Sequence, residues 1–258
     1  MIDFHAHILP NLDDGSKNIE ETMQILQEAQ ENGFTKVIAT THYIEGYYEV
    51  NEEKRKIWIN ELNQVLQEKR INVQIELGSE IYITENIIEL IKNKKASTIG
   101  KKYVLFELPF NHRIIRIENI IYTILENGFI PIIAHPERYE IVNKNPNIVY
   151  EWIALGVLLQ ANFGSIIGQY GNESKRTAKT LLEHNMIHFL GTDVHRARDI
   201  YLKMPVIMKN LSKILTKEKI EEVTNGNAKK VLLNEVIDID MPVKVEQNKW
   251  KKYIQPTW

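Results

Sequence analysis

The fold is most constrained by a repeated unit: a helix, a residue that ends it, a short apolar strand, and then a polar residue able to bind a metal ion. Gly33 precedes the strand-like run 34–42, and Gly128 precedes the run 129–135; both runs end on histidine. A third unit, residues 186–195, closes on Asp193 and His195. Glycine suits the left-handed position that ends a helix. This alternation predicts a parallel sheet covered by helices.

About seven strands are predicted, in or directly after the runs 1–7, 34–42, 73–79, 103–106, 129–135, 155–162 and 186–195. Helices are predicted at about 18–32, 52–69, 85–93, 117–126, 146–154, 174–183, 204–211 and 217–224. Polar residues at the ends of many strands favour a closed barrel. The expected class is α/β, a distorted (β/α)7 barrel with its site at the C-terminal ends of the strands. An open doubly wound sheet is the alternative.

No linker-like stretch divides the 258 residues, so a single domain, 1–258, is expected. Its polar, aromatic tail, about 238–258, is expected to pack on the surface or on a neighbouring subunit. The net charge of −2 gives no electrostatic case for binding nucleic acid or a membrane. The N-terminus lacks a signal-peptide pattern, and no apolar run approaches the roughly 18 residues of a membrane span. A cytoplasmic protein is therefore expected.

The first strand ends in His5-Ala6-His7. Side chains two positions apart on a strand point the same way, so the two imidazoles are expected to converge on one point. Converging neutral imidazoles suit a divalent transition metal. Taken alone, two polar residues near a terminus explain the pair equally well, and the other strand ends decide between these interpretations.

Those strand ends supply enough further ligands for two or three ions. The chain has no cysteine, so any metal site must use histidine and carboxylate side chains, which favour Mn²⁺, Fe²⁺ or Zn²⁺. Adjacent ions of this kind are a recurring device for hydrolysing phosphate esters. His112, His184 and His188 do not fit the pattern and are interpreted as structural or surface residues. The nine predicted ligands are His5, His7, Asp14, His42, Glu80, Glu107, His135, Asp193 and His195.

Arginines follow two of these ligands. Arg138 lies three residues after His135, and Arg196 and Arg198 follow His195. A guanidinium can hold phosphate through two parallel hydrogen bonds. Arg138 and one of the other two are therefore predicted to contact phosphate, against the alternative of solvated surface arginines.

These motifs together resemble the polymerase-and-histidinol-phosphatase (PHP) superfamily. More narrowly, they resemble its manganese-dependent bacterial protein-tyrosine phosphatases of Gram-positive capsule and exopolysaccharide operons. The resemblance covers nearly the whole chain in order. It rests on His5-Ala6-His7, Asp13-Asp14-Gly15, Thr41-His42, Gly78-Ser79-Glu80-Ile81-Tyr82, Phe106-Glu107, Ala134-His135-Pro136-Glu137-Arg138 and Gly191-Thr192-Asp193-Val194-His195.

The resemblance implies a site for three metal ions and two phosphate-contacting arginines. The first arginine would be Arg138. The family pattern puts the second at the position of Ile200, so Arg198 is the nearest candidate and Arg196 a less favoured one. The implied ligand sets are His5, His7, Glu80 and Asp193 for one ion; Glu80, Glu107 and His135 for another; and Asp14, His42 and His195 for the third.

The implied activity is hydrolysis of phosphotyrosine by in-line attack of a metal-activated hydroxide. The substrate would be the phosphorylated tyrosine-rich tail of a membrane-associated tyrosine kinase that controls polysaccharide synthesis. Association of copies through the first helix and the tail is a further expectation of the resemblance. The absence of cysteine excludes a cysteine-nucleophile phosphatase.

Three other functions remain open from the sequence. One is a small-molecule phosphomonoesterase of the same superfamily, such as a histidinol-phosphatase. Another is a binding or scaffolding protein that keeps metal for stability alone. The last is a metal-dependent amidohydrolase, which also begins with His-x-His but typically carries a bridging lysine after a middle strand, and none stands at Glu80 or Glu107.

Overall fold

The structure is a computed structural model that describes residues 1–111, 117–246 and 250. Its strands are β1 (Ile2–Ala6), β2 (Lys36–Ala39), β3 (His42–Tyr43), β4 (Gln74–Leu77), β5 (Glu80–Tyr82), β6 (Tyr103–Glu107), β7 (Ile130–Ala134), β8 (Leu158–Asn162) and β9 (Phe189–Gly191). Its α-helices are α1 (Ile19–Glu31), α2 (Glu52–Glu68), α3 (Ile87–Lys92), α4 (Ile117–Glu126), α5 (Glu140–Lys144), α6 (Asn147–Ala154), α7 (Phe163–Ile167), α8 (Asn172–Glu183), α9 (Met204–Leu211), α10 (Lys217–Glu221) and α11 (Asn227–Leu233).

The strands form two parallel sheets, in the orders β1-β2-β4 and β3-β5-β6-β7-β8-β9. Two residues separate β2 from β3, and two separate β4 from β5, so each pair is one interrupted strand. The last strand returns to the first, because Ala6 pairs in parallel with Val194 and the Asp193 N–H donates to the His5 carbonyl at 2.8 Å. The predicted distorted seven-stranded barrel is confirmed, and the open sheet is excluded.

The predicted helices all form, with ends shifted by a few residues, and the described residues contain three further α-helices that were not predicted. The region predicted as one helix at 217–224 divides into α10 and a π-helical turn, Glu222–Gly226. The unpredicted helices are α5, α7 and α11, of five, five and seven residues. Helices this short show too few turns for an apolar period to be recognised.

Two residues lie elsewhere along the strands than the sequence suggested. Strand pairing is interrupted at Gly78 and Ser79 and resumes at Glu80. Glu80 is therefore the first residue of β5 and does not follow the end of a strand. His188 lies just before β9 and not within it; it is buried, and its Nδ1 accepts from the Leu159 N–H at 3.1 Å. This contact supports the structural role predicted for His188.

Apolar side chains fill the barrel around the first halves of the strands. The Phe4 and Phe189 rings stack there with their centroids 4.0 Å apart. Ala228 and Val231 of α11 belong to the same buried cluster, so this helix covers that end of the barrel. The predicted metal ligands of the strands lie at the opposite, C-terminal end. The cluster contains Ile2, Phe4, Ile38, Ile99, Tyr103, Leu105, Ile132, Ala134, Leu158, Phe189, Ala228 and Val231.

A β-bulge in β1 redirects the first histidine. The register against β2 shifts between Asp3 and Ala6, so that Phe4 and His5 together oppose Ile38. Phe4 packs in the interior cluster, and His5, the next residue, bonds to a side chain of β8, two strands away. Strict alternation would have placed these two neighbours on opposite faces. The bulge therefore allows an apolar interior and a polar site to follow each other on one strand.

Gly191 is required where β9 passes β1. A Cβ at this position would lie 2.6 Å from the His5 Cβ and 2.8 Å from the His5 backbone nitrogen. We expect Gly191→Ala to lower the free energy of unfolding by about 1–3 kcal/mol, because the backbone of β1 must move. Chemical denaturation measures this loss. Gly226→Ala is the matched control, since its Cβ would meet its nearest atom at 3.7 Å; equal losses in the two variants would contradict the prediction.

The chain beyond α11 lies over the helical layer. The Val243 N–H donates to the His184 carbonyl at 2.9 Å, and Trp250 is buried and donates from Nε1 to the Lys144 carbonyl at 3.2 Å. Tyr253 and Trp258, named with the predicted aromatic tail, lie outside the described residues, as does His112. His184 caps the end of α8, where its Nδ1 bonds to the Thr180 carbonyl at 2.8 Å.

Candidate metal centre

The structure brings all nine predicted ligands together at the C-terminal end of the barrel. Eight of them form three overlapping groups, and within each group one potential ligand atom per residue lies within 4.8 Å of the others. The ninth, His135, joins them through Glu80, with Nε2 2.8 Å from Oε1. The groups are His5, His7, Glu80 and Asp193; His42, Glu80 and Glu107; and His7, Asp14, His42 and His195.

Three of the histidines are held so that the Nε2 lone pair faces this cluster. The Nδ1 of His5 bonds to Gln160 Oε1, the Nδ1 of His7 to Asp13 Oδ2, and the Nδ1 of His195 to the Asp193 carbonyl, each at 2.8 Å. All three partners are acceptors, so each Nδ1 carries the proton. Hydrogen bonds of this kind fix the tautomer and orientation of metal-binding histidines.

The buried Nε2 atoms of His5 and His7 lie 3.0 Å apart, and each is close to Glu80 Oε2, at 3.0 and 3.2 Å. In the tautomers set by their Nδ1 contacts, neither nitrogen has a proton to donate, and the two lone pairs repel each other unless a cation lies between them. Ligands about 2.1 Å from a tetrahedral ion lie roughly 3.4 Å apart. The residues therefore fit a metal ion, and Asp193 Oδ1, 3.4 Å from His7 Nε2, completes a group of four.

Glu80 connects the first group to the second. Its Oε2 is 3.2 Å from His42 Nδ1, and its Oε1 faces His135. Glu107 faces the same two histidines, with distances of 3.5 Å to His42 Nδ1 and 3.9 Å to His135 Nε2. Among the described residues, His42 Nδ1 has no hydrogen-bond partner although it is buried. A second ion between these side chains would satisfy it.

The third group is more open. Asp14 Oδ1 lies 3.4 Å from His195 Nε2 and 3.7 Å from His42 Nε2, and the Asp14 side chain is 53% exposed. The resemblance had implied Asp14, His42 and His195 for this group, and the structure adds His7. It also groups His42 with Glu80 and Glu107, so His42 is positioned between two of the three groups.

The carboxylates of the cluster repel one another at close range. Burial, and then the charge of Glu80, raise the pKa of Glu107 to about 9. Burial would also raise the pKa of Glu80, but its histidine neighbours, His5 first, hold it well below its usual range. Buried carboxylates gathered in this way call for cations beside them.

Several supporting side chains were not assigned a role from the sequence. Asp13, next to the predicted Asp14, accepts from the His42 N–H at 2.9 Å as well as contacting His7, and its Oδ1 accepts from the Gly15 N–H. Burial opposes its ionisation, but the neighbouring His7, whose Nδ1 donates to it, lowers the pKa of Asp13 to about 2. Its place in Asp13-Asp14-Gly15 was the available signal.

Strand β8 contributes two more supporting side chains. Gln160 contacts His5, and Asn162 donates from Nδ2 to Asp193 Oδ2 at 2.8 Å. The polar end of the run 155–162 was visible in the sequence, but only the barrel shows which ligands it supports.

Two of the predicted ligands have a left-handed backbone, His135 at φ 31° and Asp193 at φ 55°. Such a conformation is uncommon outside glycine and costs free energy, and it persists where the surroundings fix it. At His135 it lies at the end of β7, directly before Pro136, and turns the chain into a short 3-10 helix. Both strained residues therefore lie where a strand turns its last side chain into the cluster.

The three arginines occupy different positions. Arg138 donates from Nη1 to Asp193 Oδ2 at 2.9 Å. Arg196 donates to the carbonyls of Asp14 and Gly15, the loop that carries the third group. Arg198 has an exposed side chain, and among the described residues no ion pair joins it to the cluster; its backbone N–H donates to Glu28.

The chain matches the family described as capsular polysaccharide synthesis, CpsB/CapC, over residues 1–233. It is 34% identical over 252 residues to CapC of Staphylococcus aureus, named as a candidate tyrosine-protein phosphatase, covering 97% of this chain and 98% of CapC. It is 31% identical over 250 residues to the tyrosine-protein phosphatase YwqE of Bacillus subtilis, covering 96% and 98%.

Solved structures agree with these sequence matches. One chain from the crystal structures of the metal-dependent tyrosine phosphatases YwqE of Bacillus subtilis and CpsB of Streptococcus pneumoniae superposes on this chain with a TM-score of 0.86. The two chains are 29% identical, and the match covers 95% of this chain and 100% of that one. Histidinol phosphate phosphatase of Lactococcus lactis shares the fold, with a TM-score of 0.55 and 17% identity over 83% of this chain and 93% of that one. This chain belongs to the CpsB/CapC family of capsular polysaccharide synthesis proteins.

Proposed function

We propose that this chain is a metal-dependent protein-tyrosine phosphatase that acts as a single domain on a phosphotyrosine-bearing protein. The observation that carries the proposal is the pair of histidines, His5 and His7, whose Nε2 lone pairs face two buried carboxylates, Glu80 and Asp193. The metal-dependent tyrosine phosphatases among its relatives support the same activity.

Two or three ions would be held by the nine ligands, and Mn²⁺ is the proposed metal, with Fe²⁺ or Zn²⁺ as alternatives. Bound ions of this kind supply an activated water and neutralise charge on the phosphoryl oxygens. The protein's own contribution is to fix the ligands, through Gln160, Asp13 and the Asp193 carbonyl, and to place a guanidinium beside them. Arg138 contacts Asp193 through Nη1, and we assign its remaining N–H groups to the phosphate of the substrate.

The proposed substrate is the phosphorylated tail of a membrane-associated tyrosine kinase that controls capsular or extracellular polysaccharide synthesis. The family description, capsular polysaccharide synthesis, supports this context. We place the reaction in the cytoplasm and allow for association of copies of the chain. In the described part of the chain, the structure contains no helix that is both long and apolar enough to cross a membrane.

The proposed activity is tested by comparing two phosphomonoester substrates. Protein stripped of metal by a chelator and reloaded with Mn²⁺ is assayed on a phosphotyrosine peptide and on histidinol phosphate. We expect kcat/KM to be at least about tenfold higher for the peptide, and activity to disappear again on chelation. A preference for histidinol phosphate would favour the small-molecule phosphatase instead. Metal-loaded protein inactive on both substrates would favour a scaffold.

Arg198 is the proposed second phosphate-contacting arginine, and Arg196 provides the comparison. Nη1 of Arg196 donates to the backbone carbonyls of Asp14 and Gly15, whereas the Arg198 side chain is exposed. We expect Arg198→Lys to raise KM for a phosphotyrosine peptide about tenfold with the metal content unchanged.

Arg196→Lys is expected to act differently, by lowering the number of ions bound per chain, because the Asp14 loop loses its anchor. Steady-state kinetics and elemental analysis of both variants distinguish the two roles. A rise in KM with Arg196→Lys and none with Arg198→Lys would reverse the assignment.

A further inference from the structure

Two aromatic rings lie against histidines of the metal centre from separate loops. Tyr48, in the loop after β3, stacks on His42 with ring centroids 6.1 Å apart and planes 9° apart. Phe110, in the loop after β6, stacks on His135 at 5.6 Å and 27°. Neither ring contributes a metal-binding atom, so metal binding alone does not explain why the two rings lie there.

Each ring covers a histidine that faces one oxygen of the same carboxylate. Glu107 directs Oε1 towards His42 and Oε2 towards His135, and these are the histidines that Tyr48 and Phe110 cover. Glu80 is placed in the same way, with Oε2 near His42 and Oε1 near His135. The rings therefore flank an approach to the two carboxylates.

Both rings are accompanied by aromatic surface that reaches solvent. Phe110 is 37% exposed, and Tyr47, which meets the Tyr48 ring edge-on at 4.6 Å, is 74% exposed. Isolated exposed aromatics are common on protein surfaces, but these border a buried polar site from two sides. Apolar walls around a few convergent polar groups are typical of small-molecule and side-chain binding sites.

We infer that Tyr48 and Phe110 form an aromatic slot that holds the phenyl ring of an aryl phosphate while its phosphate reaches the metal centre. The inference rests on the proposed phosphatase function and adds the source of its preference for phosphotyrosine. An aromatic substrate ring gains stacking contacts from the two walls, whereas the side chain of a phosphoserine or another alkyl phosphate has no ring to stack.

Inhibition by inorganic phosphate distinguishes an effect on the slot from an effect on the metal centre, because phosphate binds the metals and arginines but has no ring. In Tyr48→Leu and Phe110→Leu, we expect KM for a phosphotyrosine peptide to rise about three- to tenfold. In Tyr48→Leu, the inhibition constant of inorganic phosphate is expected to change less than about twofold. Phe110→Leu also removes a ring that stacks on Arg138, so only its KM tests the slot. Tyr48→Phe and Phe110→Tyr retain the rings and are expected to restore KM.

Tyr122→Leu is the control, since it removes an exposed aromatic ring from α4 without touching the slot. An unchanged KM in both Tyr48→Leu and Phe110→Leu overturns the proposal of an aromatic slot. In Tyr48→Leu, a rise in the phosphate constant that matches the rise in KM also overturns it, since the ring would then merely support His42. Wild-type protein that fails to hydrolyse the phosphotyrosine peptide refutes the proposed function itself, which is a different result.

Discussion

Replacing Glu80 with glutamine is expected to lower kcat on a phosphotyrosine peptide by about a thousandfold and to reduce the number of ions bound per chain. Glu80 lies at the centre of the cluster: its Oε2 is within 3.2 Å of His5, His7 and His42, and its Oε1 is 2.8 Å from His135. An amide keeps the shape but removes the negative charge, and its nitrogen cannot bind a metal in place of the second oxygen.

Metal content by mass spectrometry and thermal unfolding with and without Mn²⁺ measure the effect of Glu80→Gln. Metal at a thousandfold over its Kd stabilises the wild-type fold by about 4 kcal/mol, and this gain should largely vanish in the variant. Glu76→Gln is the matched control, because Glu76 lies on β4 and pairs with Lys36 away from the cluster. A variant that binds the full metal content and keeps its activity would remove Glu80 from the centre of the site.

The sequence predicted which residues meet because parallel strands share one C-terminal edge. Once His42, Glu107 and His135 were placed at or near the ends of buried strands, their convergence required only that the sheet be parallel and closed. No side-chain contact had to be known for this step. The barrel and the meeting of these three residues could therefore be predicted together, from the alternation of helices and strands.

The orientation of those residues could not be predicted in this way. The direction of His5 depends on a bulge against β2, and His135 and Asp193 depend on left-handed backbone that local preferences oppose. Such features persist only because the surrounding barrel fixes them. The roles of two adjacent aspartates could not be predicted either. Asp13 supports His7 from a buried position, whereas Asp14 faces the open third group. Their spacing in the sequence does not distinguish these roles.

Replacing Arg138 with lysine is expected to lower kcat/KM for the phosphotyrosine peptide by about a hundredfold, although the charge is kept. The Arg138 guanidinium lies between two rings, 4.6 Å from the centroid of Phe110 and 4.4 Å from that of Tyr170, while Nη1 bonds to Asp193. These contacts hold a planar group in one orientation. A lysine ammonium cannot stack as a plane or present two parallel N–H groups to phosphate.

The inhibition constant of inorganic phosphate should rise together with the loss in kcat/KM, because the missing contacts are to the phosphate itself. Metal content must be measured in the same preparation, since Arg138 also touches the ligand Asp193. Arg176→Lys is the matched control, since Arg176 lies on α8 with its guanidinium 4.9 Å from the ring of Trp250. If Arg138→Lys stays within about threefold of wild type at full metal content, the orientation of this guanidinium does not contribute to catalysis. The phosphate would then be held by the metals and by other donors.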